Sequence, residues 1–258
     1  MALPVLAALT LVGCGRGRDT ASAQEAPPQP PCSSAKFEDV PLTHCIADPA
    51  QHTVRVVLGP SDGSPYRSLS ELAVSLGEKA ERVAFAVNGG MFDAEGMPIG
   101  YYVENGERRH TLNRNEGWGN FHLQPNGVFY GSGGTWVVRT SDDFAAKVDK
   151  RPEFGTQSGP MLVIEGRLHP RFDEDGPSRK LRNGVGVDKK GRAHFVISEA
   201  PISFGKFARY FRDELKTPNA LFLDGSVSSL WDPHTGRVDG GPPLGPLIVV
   251  EKRHKAKP

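Results

Sequence analysis

The apolar residues of this chain arrive in short runs of four or five, each closed by polar, glycine or proline residues. That spacing constrains the fold more than any other feature. Runs this short fit strands better than helices, which need ten or more residues of 3.6-residue periodicity. The runs at 54–58, 83–87, 220–223 and 247–250 predict single strands. Three more pairs predict hairpins. Residues 127–130 and 135–138 flank Gly131-Ser132-Gly133-Gly134, 161–164 turns at Glu165-Gly166 into 167–169, and 185–188 turns at Lys189-Lys190-Gly191 into 193–197. Thirty glycines and 22 prolines fit so many tight turns.

Helical periodicity occurs three times. Ser68 with Glu71 forms a capping box ahead of Leu69, Leu72, Ala73 and Leu76, and Gly77 ends the run. Ser141 is placed to cap a short helix burying Phe144, Ala145 and Val148. Ser203 is placed to cap a longer one with Phe204, Phe207, Ala208, Phe211 and Leu215 on one stripe and Pro218 beyond its end. Hairpins interspersed with these helices predict an α+β single domain: a mixed, hairpin-rich β-sheet core flanked by a few helices.

The N-terminus predicts export. Residues 2–13 are uncharged and mostly Ala, Leu and Val, the length of a secretory apolar region and too short to span a bilayer. The run ends in Leu11-Val12-Gly13-Cys14, which resembles a lipoprotein signal with Cys14 as its lipidation site, although no Lys or Arg precedes it. Residues 15–35, rich in Pro, Ser and Ala, read as a tether. The domain is expected over 36–252, followed by a basic tail at 253–258. The expected location is the bacterial cell envelope, lipid-anchored and periplasmic or outer-membrane associated. Assigning Cys14 to a lipid leaves Cys32 and Cys45, which an oxidising compartment either pairs or leaves as two thiols. The charge of +1, from 31 basic and 30 acidic residues, comes with no basic stripe, so no nucleic-acid partner is expected.

The familiar catalytic strings are missing: no G-x-S-x-G, no phosphate loop, no H-E-x-x-H and no C-x-x-C. Asp173-Glu174-Asp175-Gly176 lacks the further ligands of a calcium loop and reads as a solvated acidic loop. No cofactor or metal is expected. What remains is a set of polar residues among glycines at the ends of apolar runs: Asn88-Gly89-Gly90, Gln157-Ser158-Gly159-Pro160, Arg182-Asn183-Gly184 and Asp224-Gly225-Ser226. Each alone is also an ordinary turn sequence. Trp118, Trp231 and Phe92 suit either sugar stacking or core packing.

Taken with their neighbours Met91-Phe92, Met161-Leu162, Val185-Gly186 and Val227-Ser228-Ser229, these four segments resemble the phosphodiester glycosidase family, in the same order over about 36–252. The likeness is to its bacterial exported branch. This sequence departs from the animal branch in having Ser226-Val227 where that branch is richer in glycine. It also carries Asn183-Gly184 where others carry Thr-Ala, and both departures bear on sugar and aglycone specificity. The resemblance implies hydrolysis of the glycosidic bond of a sugar-1-phosphodiester in envelope or extracellular glycans. A phosphate leaving group is a weak base, so such a site needs charge stabilisation more than acid catalysis. On that reading Asp224, Arg182, Asn88 and Ser158 are the catalytic candidates. Asp224 would stabilise or attack the anomeric carbon or activate water, and Arg182 would grip the phosphate. Gly89, Gly90, Gly159, Gly225 and Ser226 are candidates for binding substrate. The alternative is a non-catalytic carbohydrate- or phosphoglycan-binding envelope lipoprotein. Either way the partners are a glycan or glycolipid phosphodiester and, through the anchor, a membrane.

Overall fold

The short apolar runs become strands buried on both faces, which explains their continuous rather than alternating hydrophobicity. The computed structural model describes residues 30–61 and 63–253. The expected signal with Cys14, most of the tether and the tail beyond Arg253 lie outside the described residues. In chain order the strands begin with β1 (Cys32–Phe37), β2 (Val40–Ala47), β3 (His52–Val57), β4 (Val83–Asn88), β5 (Tyr102–Glu104) and β6 (Glu107–His110). Next come β7 (Gly127–Ser132), β8 (Thr135–Thr140), β9 (Phe154–Ser158), β10 (Met161–Ile164) and β11 (Arg167–Leu168). The last are β12 (Asn183–Val187), β13 (Ala193–Ser198), β14 (Asn219–Phe222), β15 (Leu230–Asp232), β16 (Arg237–Val238) and β17 (Leu247–Lys252).

They form a seven-stranded sheet, β1-β2-β13-β12-β14-β10-β11, and two five-stranded sheets, β16-β15-β4-β17-β3 and β6-β5-β9-β7-β8. Every ladder among the described residues is antiparallel. The α+β class therefore stands, but the expected mixture of strand directions does not appear. Parallel neighbours require a long crossover, whereas tight turns join several of these strands directly.

All three sheets turn one face to a shared core. Phe85, Phe129, Phe195, Leu221, Leu223 and Ile248 meet there. The opposite faces are covered by one helix each. Helix α1 (Leu69–Leu76) lies on Val83, Ala86 and Val249, and α2 (Ser141–Lys147) places Phe144 on Val128 and Tyr130. Helix α3 (Phe204–Arg209), continued by a π-turn at Tyr210–Glu214, lies on Leu162, Val196, Ala220 and Phe222. Ser68 and Ser203 cap α1 and α3 as predicted. The cap of α2 is Thr140 instead of Ser141, because Ser141 is already helical and its buried hydroxyl donates to Asn126 Oδ1 at 2.6 Å.

The domain starts ahead of the expected boundary at 36, for Cys32 already pairs in register with Cys45 across β1–β2. The two cysteines form a disulfide there. The same sheet carries a polar relay. The His44 ring Nε2 lies 2.9 Å from His194 Nδ1, and His194 Nε2 lies 3.1 Å from the Asp188 carboxylate. The carboxylate accepts only, so His194 donates through Nε2 and receives through Nδ1. Burial is the first cause that pushes both rings down, His44 to about 4. A folded-state value below the unfolded one means that the unfolded chain takes up protons first as pH falls. Stability is expected to drop between pH 6.5 and about 4 by up to about 3 kcal/mol. Urea unfolding across that range checks this, and His44→Phe should flatten the profile.

Candidate active site

The four glycine-flanked segments converge where strands of all three sheets end. Asn88 closes β4, and its carboxamide is the junction. Its Nδ2 donates to the Asp224 carbonyl at 2.7 Å, and its Oδ1 accepts from Asn183 Nδ2 at 2.8 Å and from Ser229 N–H at 3.0 Å. Around it, Asp224 N–H donates to the Gly89 carbonyl and Leu223 N–H to the Asn183 carbonyl. Phe222 N–H donates to the Pro160 carbonyl, and Gly90 N–H to Thr156 Oγ1 at 3.1 Å. Three segments from the seven-stranded sheet and one from each five-stranded sheet are thereby locked together.

Asp224 sits in the turn beyond β14, where its Oδ1 accepts from Ser226 N–H at 3.2 Å. It forms no ion pair among the described residues, and burial pushes its carboxyl above the ordinary range. Arg182 precedes β12 and is 1% exposed. Its Nε donates to the Ile202 carbonyl, its Nη2 to the carbonyl and hydroxyl of Ser178, and its guanidinium lies 3.4 Å from the Phe204 ring centre. Phe204 stacks on Phe172, and Phe172 on His169, so the cation ends a column of three rings. Burial alone pushes Arg182 down to about 10. Extending the β12–β14 register by two positions beyond Gly184 and Phe222 sets Arg182 opposite Asp224. Yet the two charges form no ion pair with each other.

This geometry revises several expectations. Arg182 does not offer a free fork, because Nε and Nη2 already hold main-chain carbonyls; Nη1 and the charge remain. Asn88 is a positioning residue, three of its bonding sites being used within the protein. Ser158 Oγ is sealed and, with Asn183 Oδ1, lacks a hydrogen-bond partner. Buried polar atoms in that state are rare, and two beside one junction set it apart from the rest of the core. Gly89 and Gly90 serve chain packing, since their N–H groups bond Pro246 and Thr156. A Cβ on Gly90 would lie 2.2 Å from the Gln157 carbonyl oxygen. Likewise a Cβ on Gly159 would lie 2.7 Å from Asn126 Cβ, and one on Gly225 would lie 2.5 Å from the Phe222 ring. Ser226 is exposed beside Asp224. Sequence reasoning did not single out Ser178, Phe204 or Asn183 as site residues. Only the last carried a signal, as the neighbour of Arg182. The acidic loop is exposed, as expected, and Asp175 pairs there with Arg179 at 2.7 Å and with Lys206 at 3.6 Å. No group of three His, Cys, Asp or Glu side chains is arranged for a metal among the described residues.

A carboxyl without a cation partner and a buried cation without a carboxylate partner thus lie at adjoining strand ends. The family model of the phosphodiester glycosidase domain matches residues 81–239. The chain belongs to the phosphodiester glycosidase family. It is 35% identical over 184 residues to the uncharacterized protein YigE of Escherichia coli (strain K12), covering 71% of each chain. The fold is shared with the zebrafish N-acetylglucosamine-1-phosphodiester alpha-N-acetylglucosaminidase catalytic domain, auto-inhibited by its pro-peptide. That match has a TM-score of 0.59 at 15% identity and covers 86% of this chain and 82% of that one. A hypothetical protein from Synechocystis matches with a TM-score of 0.56 at 17% identity, over 86% of this chain and 61% of that one.

The packing role of the glycines is testable. Gly90→Ala forces a methyl into main chain and should cost at least about 2 kcal/mol. Gly240→Ala, where a Cβ meets nothing within 4 Å, should stay within about 0.5 kcal/mol. Denaturant midpoints of the two variants decide it, and similar losses would remove the packing account.

Proposed function

We propose that the chain is an exported hydrolase that cleaves the glycosidic bond of sugar-1-phosphodiesters in envelope or extracellular glycans. The observation that carries this reading is the pair Asp224 and Arg182. Arg182 is buried and Asp224 half-buried, burial pushes each toward its neutral form, and neither is compensated by the other. Structures hold such charges apart mainly where a ligand completes them. The anomeric carbon, where positive charge develops, belongs at Asp224, and the phosphate at the cationic side. The bond from the anomeric carbon to the phosphate oxygen breaks, the phosphate monoester leaves with that electron pair, and water supplies the new hydroxyl and gives up its other proton to solvent. Because the leaving group is a weak base, no second carboxyl is required opposite Asp224.

Release of free sugar from a panel of sugar-1-phosphodiesters tests this reading. Asp224→Asn should lower kcat/KM by about 100- to 10,000-fold without unfolding the protein. Asp224 works as the carboxylate, and its value is raised, so kcat/KM should fall as pH drops through a point above the ordinary aspartate range near about 3.9. Full activity in a folded Asp224→Asn protein would remove the assignment. Binding of the diesters without turnover would leave a phosphoglycan-binding lipoprotein.

Lipid anchoring at Cys14 is part of the same proposal and is supported by the signal-like sequence before it. In cells expressing the full chain, Cys14→Ser should move the protein from the membrane to the soluble fraction and abolish labelling by a palmitate analogue.

A further inference from the structure

Trp118 stands out among the aromatic residues: it is 98% exposed, whereas Trp136 and Trp231 are buried at 4% and 6%. It stands between Gly117 and Gly119 at the tip of a loop whose base rests on the candidate site. Asn113 N–H donates to Gln157 Oε1 at 2.9 Å, and Gln157 Nε2 donates to the Asn113 carbonyl at 2.6 Å. Gln157 directly precedes Ser158. On the far side of the tip, the Asn120 and Phe121 carbonyls press on Gly159, at 3.2 and 2.8 Å from where its Cβ would be. Inside the loop the His122 ring bonds the Asn115 carbonyl at 2.8 Å and fills the space beside Gly117. Gly119 has φ +86°, a left-handed conformation that suits glycine. The loop is therefore pinned at its base and braced within, and its indole has nothing to pack on.

We propose that Trp118 forms an outer subsite that stacks on a sugar ring of the aglycone, beyond the phosphate. This rests on the sugar-1-phosphodiester reading above. The chemistry favours a pyranose over a wholly apolar occupant. A pyranose presents a C–H face to an aromatic ring and hydroxyls at its edges, and the residues nearest the tip are Arg114, Asn115, Glu116 and Asn120. An alkyl chain would meet one ring in a polar rim, too little apolar surface to hold it. The loop lies on Gly159, and the Pro160 carbonyl accepts from Phe222 N–H, two residues before Asp224; on this proposal an aglycone that leaves the phosphate on that side reaches the indole.

Two measurements test it. The first compares hydrolysis of two diesters of glucose 1-phosphate, one with methanol and one with the 6-hydroxyl of methyl glucoside. Trp118→Ala should lower kcat/KM about tenfold for the sugar-bearing diester. It should change the methyl diester less than about twofold, and Trp118→Phe should restore most of the loss. The second uses Trp118 as the one solvent-accessible indole among the three: adding the sugar-bearing diester should protect it from acrylamide and shift its emission to the blue. Equal effects of Trp118→Ala on both diesters, or unchanged quenching, would overturn the subsite. Protection by the sugar-bearing diester with no hydrolysis of it, or of any diester in the sugar-1-phosphodiester panel, would instead refute the hydrolase reading and keep the subsite. The side chain is fully outside the core, so its replacement leaves folding intact.

Discussion

The carboxamide of Asn88 is the interaction on which the site depends. It lies at the end of β4 in one five-stranded sheet, donates to the main chain of Asp224 and accepts from Asn183, both at the end of the seven-stranded sheet. Those two sheets share no ladder. Packing in the common core holds them face to face, but dispersion contacts are non-directional and tolerate sliding. A buried amide with three partners fixes relative position to hydrogen-bond precision. The Ser229 bond also settles which atom of Asn88 is oxygen, and so which way Asn183 faces.

Charge is distributed around that junction in an unusual way. Elsewhere the protein pairs several of its buried or half-buried charges: Arg55 with Glu251, Arg109 with Glu104, and Asp188 with Arg192. At the strand ends it does not. Arg182 is compensated by carbonyl dipoles and an aromatic face, which lower the cost of burying a cation without cancelling its field. Asp224 has one backbone N–H. A pair that closed into a salt bridge would be more stable and would leave nothing for a ligand to complete.

Much of the fold was legible because two-faced burial writes strands as unbroken apolar runs. β4, β10, β14 and β17 all fell where such runs stood. β9 was not legible. Its sequence Phe154-Gly155-Thr156-Gln157-Ser158 is half polar, yet all of it is buried, because Gln157 finds its partners in a network with Asn113, Ser141 and the Tyr101 amide. Partners that distant leave no local pattern. The short β5, β15 and β16 were invisible for the ordinary reason that two or three residues carry no periodicity. For the site, the order and type of polar residues were readable, and the structure brings all four segments together. Their division of labour was not readable. A glycine flanking a polar residue looks the same whether it makes room for a ligand or for another chain, and here Gly90 makes room for the Gln157 carbonyl.

That last point bears on how this family diverges. Asn88, Gly90 and Gly225 answer to the join between sheets, so selection for folding alone retains them in a lineage that has abandoned the reaction. Asp224 answers to folding through its main chain and through one bond that its carboxyl accepts from Ser226 N–H, and that carboxyl is the freer to drift once substrate no longer selects it. The motif string would then outlive the activity. Among descendants of this fold, an intact string marks ancestry, and on the proposed mechanism the side chain at the Asp224 position is the one that tracks activity.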